Sequence, residues 1–299
     1  MSVDERPPEL TIVQADNLEW LRGTPPASFE LCYVDPPFNT GRERELVRLR
    51  TRSVPGDAAG GAGDRTGFGG RRYATEAVGR RAYPDRFDDY LEFLVPRLEE
   101  AWRVLTDAGS LFVHLDPRES HHVKVALDER LGRARFMNEI VWSYDYGARS
   151  KSRWSAKHDV ILWYAKDPRR ATFLYDEIDR IPYMAPALVG AEKAARGKTP
   201  TDVWWNTIVS PTGKERTGYP TQKPLAILER IVRVHSRPGE RVLDCFAGSG
   251  TTGEAAIHNG RSCVLVDRGD DAIEVMRRRL AFAHPRFVAA PRAPGASTG

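Results

Sequence analysis

An open α/β sheet with mainly parallel strands is the fold this sequence predicts, and three observations predict it. Apolar runs of strand length (LTIVQ, LCYV, SLFVHL, VLVD) recur between segments whose apolar residues repeat at helical spacing. One strand-like run, residues 241–244, leads at once into CFAGSGTTG, a glycine turn at the start of a helix. Another, residues 31–34, stops on Asp35-Pro36-Pro37-Phe38, because proline neither donates to a sheet ladder nor continues a helix. An antiparallel hairpin and a small irregular segment complete the expected architecture.

The chain's 299 residues suffice for one large domain or two modest ones. With 41% hydrophobic and 29% charged residues it has the composition of a folded protein with a real core. No run approaches the roughly 18 apolar residues of a membrane span, so no membrane partner is expected. The polar start, MSVDERPPEL, does not read as a signal peptide. Cys32, Cys245 and Cys263 all sit in apolar strand-like runs, as expected of reduced, buried thiols in a cytoplasmic protein. Neither the cysteines nor the seven histidines show metal-ligand spacing, and no metal is expected.

The net charge of +4 conceals an uneven distribution. Residues 41–83 hold ten arginines, Arg42, Arg44, Arg71 and Arg72 among them, against five acids. Positive charge is thus concentrated just after the proline-ended strand, where a polyanion would lie. The centre, GDAAGGAGDRTGFGGRR, is glycine-rich and apolar-poor, so a mobile loop is expected. A solubilising insertion and a basic loop that closes over nucleic acid both fit it.

In chain order, residues 10–16 read as a strand ending in Asp16. A short helix over 18–21 and a Pro25-Pro26 turn lead to the strand 31–34. Asp88 or Asp89 would cap a helix with the apolar stripe Leu91, Leu94, Leu98, Trp102 and Leu105, which Pro96 should kink or restart. Asp107-Ala108-Gly109 should turn the chain into a strand over 110–116, followed by a helix through 122–131. NEIVWSYDYG and KHDVILWYAK read as two strands around a loop bearing Arg149, Lys151, Arg153, Trp154 and Lys157. Interleaved basic and aromatic residues suit phosphate contacts plus base stacking, and equally a solvated hairpin. From 168 to 220 periodicity is lost around VWWN, which makes this a candidate recognition segment or an excursion packed on the sheet. TQKPLAILERIVRVHS returns to helical spacing, with Pro224 suited to the first turn.

The proline-ended strand suits one chemistry. An exocyclic amine on a nucleobase is a poor nucleophile, since its lone pair is delocalised into the ring. Two acceptors, the Asp35 carboxylate and the Pro36 carbonyl, would hold both N–H bonds and bring the lone pair toward a methyl donor, and Pro37 keeps Pro36 extended. Phe38 would stack on a base swung out of the duplex. Taken alone, the tetrapeptide is equally a strand end and a turn with Phe38 in the core.

The glycine turn narrows the choice. Gly248, Gly250 and Gly253 fit G-x-G-x-x-G, and Asp267 follows Gly248 by nineteen residues, the fingerprint of a nucleotide bound by close backbone approach and a ribose-binding acid. Alone it would suggest a nicotinamide dehydrogenase. Too little chain follows for a second mononucleotide half, and an oxidoreductase has no use for Asp-Pro-Pro-Phe beside an arginine-rich loop.

Together, DPPFNTG, TQKP, LDCFAGSGTTG and VLVD resemble the motifs of the DNA amino-methyltransferases that use S-adenosylmethionine. Their order, catalytic motif first and cofactor motif last, is similar to the beta class, a circular permutation of the Rossmann-like methyltransferase fold, and the resemblance spans roughly residues 10–280. It implies that Asp35 and the Pro36 carbonyl accept the amine hydrogens and Phe38 stacks on the flipped base, with Pro37 part of the same catalytic motif. It also implies that Asp267 binds the cofactor ribose and Asp16 lies near its adenine or amine. Phe246, Ala247, Gly248, Ser249, Gly250, Thr251 and Thr252 would wrap the methionine moiety above Asp244, and Thr221, Gln222, Lys223 and Pro224 would close the carboxylate end. Cys245 stands where the family usually has Pro, and Phe38 where Tyr is commoner; neither removes the implied chemistry. The sequence lacks the Pro-Cys nucleophile motif of cytosine C5 methylation.

The expected activity is methyl transfer to adenine N6 in double-stranded DNA, with cytosine N4 as the alternative and RNA or protein as less favoured substrates. The expected organisation is a catalytic half over 1–167, a recognition segment over 168–220, a cofactor half over 221–285 and a disordered tail over 286–299. A homodimer and a cognate restriction enzyme are compatible with the resemblance.

Overall fold

The computed structural model describes residues 7–39, 44–54, 65–66, 72–83, 87, 89–147, 149–210 and 213–289, those from 44 to 83 by backbone alone. The chain begins with β1 (Leu10–Gln14), α1 (Asn17–Gly23) and β2 (Phe29–Val34). β3 (Arg44–Val54), β4 (Arg65–Thr66) and β5 (Arg72–Tyr83) follow, then α2 (Tyr90–Arg103), β6 (Leu105–Leu115) and α3 (Ser120–Leu127). β7 (Phe136–Ser143), β8 (His158–Ala165), α4 (Ala191–Arg196) and β9 (Val203–Trp205) lead to α5 (Leu225–His235). β10 (Arg241–Asp244), α6 (Thr251–His258), β11 (Ser262–Asp267), α7 (Asp270–Arg279) and β12 (Arg286–Ala289) complete it.

Nine strands form one sheet in the order β12-β1-β11-β10-β2-β6-β8-β7-β9. Only β8 runs against the other eight, since it pairs antiparallel with both β6 and β7 and every other pairing is parallel. β10 and β2 are neighbours, with Leu243 opposite Cys32. The chain leaves β10 toward β11 and leaves β2 toward β6, in opposite directions along the sheet, so a crevice opens between their carboxyl ends, the place where such sheets bind ligands.

Side-chain alternation sorts β2 between two cores. Leu31 and Tyr33 join Ile227, Leu228, Ile231 and Val232 of α5, together with Phe112, Ile161 and Trp163. α2 packs against both α1 and α3, and α2 and α3 reach the sheet at β6 and β8. Each fully buried Leu or Ile contributes about 1.5–3 kcal/mol. Cys32, Cys245 and Cys263 are buried, free thiols, and burial pushes the Cys32 and Cys263 thiols up.

Several expectations are corrected here. Residues 39–88 are a separate unit, Asn39–Asp88, and not a plain loop: β3 and β5 pair antiparallel from Arg44↔Tyr83 to Val54↔Arg72, with β4 on β5. RELVRLRTRSV is rich in alternating, β-compatible residues that the glycine-rich centre obscures. Most of that centre lies outside the described residues, as do Arg42 and Arg71, while Arg44 and Arg72 are placed by backbone only. Of the two outcomes expected at Pro96, the restart does not occur: Pro96 lies inside one continuous helix, α2, whose buried Leu94, Val95, Leu98 and Ala101 hold it across the missing N–H. The expected N-cap is met by Asp89, which accepts Glu92 N–H at 2.9 Å. Asp107-Ala108-Gly109 is a bulge within β6, where the register on β2 jumps from Leu105 to Ser110. The expected tail begins with a strand, since β12 pairs in parallel with β1; residues 290–299 lie outside the described residues.

Candidate active site

Asp35 follows β2 directly, with Pro36 buried and Pro37 and Phe38 half-buried after it. Asp35 Oδ2 pairs with the ammonium of Lys223, which is itself buried. Asp35 Oδ1 is buried and has no hydrogen-bond partner among the described residues. An ionised carboxylate oxygen in that state is costly unless something arrives to donate to it. The Lys223 ammonium also lies 4.8 Å from the Phe38 ring centroid.

Beneath Phe38 runs a buried polar chain that sequence reasoning missed. The Phe38 and His114 rings are 6.0 Å apart. His114 Nδ1 lies 2.6 Å from the Tyr33 hydroxyl, and His114 Nε2 lies 3.1 Å from Asp159 Oδ2. Tyr144 donates its hydroxyl to Asp159 Oδ1 at 3.3 Å. The Tyr33 hydroxyl, both His114 ring nitrogens, Asp159 and the Tyr144 hydroxyl thus form one continuous polar chain. Burial by itself would raise the Asp159 carboxyl, but the His114 hydrogen bond, with the His114 and Lys223 charges, holds it below the ordinary range. Burial, then the nearby Asp35 charge, pushes the Tyr33 phenol well up, so it stays a donor. The sequence signal was a lone histidine within the otherwise apolar SLFVHL.

The glycine turn joins β10 to α6. Gly248 has φ +49°, and a Cβ there would meet the Tyr219 ring at 3.1 Å. Gly250 has φ +75°, and a Cβ there would meet Met276 Cγ at 2.8 Å, so neither position admits a side chain without strain. Asp267 Oδ2 accepts Gly248 N–H at 2.9 Å and Oδ1 accepts Gly269 N–H at 2.8 Å, leaving one lone pair on each oxygen for a pair of hydroxyls. Burial is the main influence raising the Asp267 carboxyl. Asp244 lies at the base of the turn, where its Oδ1 accepts Phe246 N–H at 3.0 Å and its Oδ2 accepts the Thr252 hydroxyl at 2.6 Å. Burial pushes its carboxyl up to about 7.

Other expected cofactor residues prove to have scaffold bonds. Thr251 Oγ1 accepts from Arg279 at 2.7 Å and stands 3.0 Å from Ser249 Oγ. Gln222 Oε1 accepts the Thr217 N–H and hydroxyl at 2.8 and 2.7 Å, while its amide donates to Glu215 O. Asp16 caps α1, accepting Leu18 N–H at 2.9 Å, and pairs with Arg97 at 3.3 Å. Its neighbour Asn17 donates to Cys245 O at 2.7 Å, tying α1 to the turn. Pro224 is the N-cap of α5, and Ala247 is buried under the turn. Phe246 meets Phe93 edge-on at 6.2 Å. Thr221 offers its carbonyl 3.5 Å from the Lys223 ammonium.

The registers also place the basic hairpin connection. Val34 is opposite Val113, Leu115 opposite Val160, and Ser143 opposite both His158 and Trp205. The segment after Ser143 therefore emerges at the same sheet edge as Asp35. There Trp154 is wholly exposed, and Lys151 and Arg153 are exposed beside it. Arg149 pairs with Asp145, and Lys157 donates to Tyr146 O at 2.6 Å, so these two shape the connection as well as charging it. The segment over 168–220 adds β9 beyond β7 and is tied to α5 through Asp179, which pairs with Arg230 at 2.9 Å and with Arg233.

One sheet edge thus brings together an acceptor beside an aromatic face, a tight glycine cradle and an acid with lone pairs for vicinal hydroxyls. The carboxylates Asp35, Asp244 and Asp267 at this edge suit a cationic sulfonium, so the residues present fit S-adenosylmethionine. Residues 29–278 match the model of the DNA methylase family of N6 and N4 methyltransferases. The chain is 35% identical to the type II methyltransferase M.HpaI of Haemophilus parainfluenzae over 194 residues, 65% of this chain and 60% of that protein. It is 28% identical to the DNA adenine methyltransferase YhdJ of Escherichia coli (strain K12) over 286 residues, covering 91% of this chain and 83% of that one. Its fold is similar to that of M1.HpyAVI solved with S-adenosylmethionine, with TM-score 0.56, 19% identity and coverage of 90% and 98%. The cytosine-N4-specific PvuII DNA methyltransferase shares the fold at TM-score 0.56, 14% identity and coverage of 96% and 99%. With Asp35-Pro36-Pro37-Phe38 and the glycine turn at the carboxyl ends of neighbouring strands, the chain belongs to the DNA methylase family, the S-adenosylmethionine-dependent amino-methyltransferases of DNA.

Proposed function

We propose that this enzyme methylates the exocyclic N6 of adenine in duplex DNA, within a short recognition sequence, after drawing the base out of the helix. The observation that carries this is Asp35 Oδ1, a buried acceptor without a partner among the described residues, set beside the Pro36 carbonyl and the Phe38 face. Two acceptors fit the two hydrogens of one amine, and S-adenosylmethionine supplies the methyl group when bound. Asp35 at the head of the motif and the adenine specificity in the name of YhdJ, which matches 91% of this chain, favour adenine over cytosine. Incubating duplex DNA with the purified protein and S-adenosylmethionine, then hydrolysing it to nucleosides, tests this. N6-methyladenine is expected; N4-methylcytosine as the sole product would move the activity to the alternative substrate.

Phe38 in this account is the stacking platform. Phe38→Ala should weaken capture of the extrahelical base by about 1–3 kcal/mol, while Phe38→Tyr and Phe38→Trp keep a π-face and stay active. Fluorescence of 2-aminopurine at the target position reads the capture directly. An unchanged signal in Phe38→Ala would place the base elsewhere.

Arg42, Arg44, Arg71, Arg72, Arg149, Lys151, Arg153 and Lys157 are assigned to DNA phosphates. Neutralising several should lower affinity for all duplexes alike, and flatten the slope of log affinity against log salt by about 0.9 per lost phosphate contact. Sequence preference should persist, because phosphate contacts position without specifying. An unchanged slope would remove these residues from the interface. Residues 168–220 are the proposed reader of the target sequence, and a cytoplasmic location, a homodimer and a cognate restriction enzyme belong to the same proposal. Among the described residues no helix is long and apolar enough to cross a membrane.

A further inference from the structure

Lys223 belongs to TQKP, the segment whose resemblance implies cofactor binding, yet its ammonium turns to the catalytic motif. Its side chain is buried and pairs with Asp35 Oδ2. A lysine that gives up water pays in desolvation and in the freedom of four rotatable bonds, so its resting place needs a partner that repays both. Here one ammonium meets the catalytic carboxylate and a ring face 4.8 Å away.

The lysine is held from behind as well. Its carbonyl accepts the Thr251 hydroxyl at 3.3 Å, at the first residue of α6. Two residues on, Leu225 N–H is received by Glu215 Oε1 at 2.6 Å. The backbone of Lys223 is therefore fixed to the cofactor turn while its side chain grips the acceptor. A charge-assisted bond to one oxygen of a carboxylate fixes its rotation and so aims the other. The other is Asp35 Oδ1, the one left without a partner among the described residues.

We propose that Lys223 is a positioning residue for methyl transfer: by holding Asp35 Oδ2 it presents Oδ1 to the exocyclic amine, and it ties that orientation to the turn that carries the cofactor. This rests on the amine-methylation reading of the site. Without the ammonium, Asp35 turns about its side-chain bonds and both acceptors face the amine only part of the time.

The test compares Lys223→Met and Lys223→Gln with the wild type, all as full chains. Methyl transfer by the wild type is measured first, and its absence would remove the amine-methylation reading whatever the variants do. Lys223→Met should lose about 100-fold in kcat at saturating substrates, the scale of a misplaced reacting group. Calorimetry should show wild-type affinity for S-adenosylmethionine, which also verifies the fold. Lys223→Gln, an uncharged donor of similar reach, should fall between the two. Wild-type kcat in both variants would overturn the proposal. So would a loss of cofactor affinity with kcat restored at saturation, which would return Lys223 to the cofactor's carboxylate end.

Discussion

Asp35→Ala should lower methyl transfer to DNA by about 10³-fold, equivalent to about 4 kcal/mol of transition-state stabilisation. The amine acquires positive charge as its lone pair is taken up, so an anionic acceptor stabilises the transition state more than the ground state. Cofactor affinity should stay near wild type, because the carboxylate proposed for the cofactor's hydroxyls is Asp267 on a different strand. The substitution also leaves the Lys223 ammonium buried without its carboxylate. Asp35→Asn is therefore the companion variant, since it keeps the shape and one acceptor oxygen. It should be less impaired than Asp35→Ala. Near-wild-type turnover by Asp35→Ala in a tritium-transfer assay would reduce Asp-Pro-Pro-Phe to a turn.

His114→Ala should cost about 3–5 kcal/mol of stability, the penalty for stripping a buried carboxylate of its partner. His114 is wholly buried, and Asp159 nearly so. The substitution also takes the acceptor from the Tyr33 hydroxyl and the support from one side of Phe38. Urea denaturation measures the loss, and a change below about 1 kcal/mol would mean that water replaces the imidazole. The sign of the pH dependence follows from Asp159. Its folded carboxyl lies below the ordinary value of 3.8, so the pair's contribution is complete above that value. It is lost as pH falls through the lowered folded pKa.

What could be read from the sequence is what local chemistry dictates. β2 and its end are written in four apolar residues followed by two prolines, and the cofactor turn in glycines whose positive φ and close packing at Gly248 and Gly250 exclude other residues. Asp267, nineteen residues on, is found at the end of β11 with its carboxyl beside that turn. The partnerships within the site were not legible, because they join residues far apart in the chain. Lys223 and Asp35 are separated by 188 residues, and His114 and Asp159 by 45. No local pattern records which lysine will meet which carboxylate. β9 was hidden for a similar reason: three residues of VWWN become a strand only by pairing with β7. The β3–β5 hairpin was masked by the opposite error, a glycine-rich centre read as representative of its flanks.

The central claim is that the crevice between β2 and β10 methylates an amino group of DNA through Asp35. Base-modification sequencing of DNA from a host expressing the wild-type chain, beside a host expressing Asp35→Ala, tests it most directly. N6-methyladenine within one short sequence context in the first and its absence from the second is the expected result. Unmodified DNA in both hosts, or the same methylation in both, would contradict it.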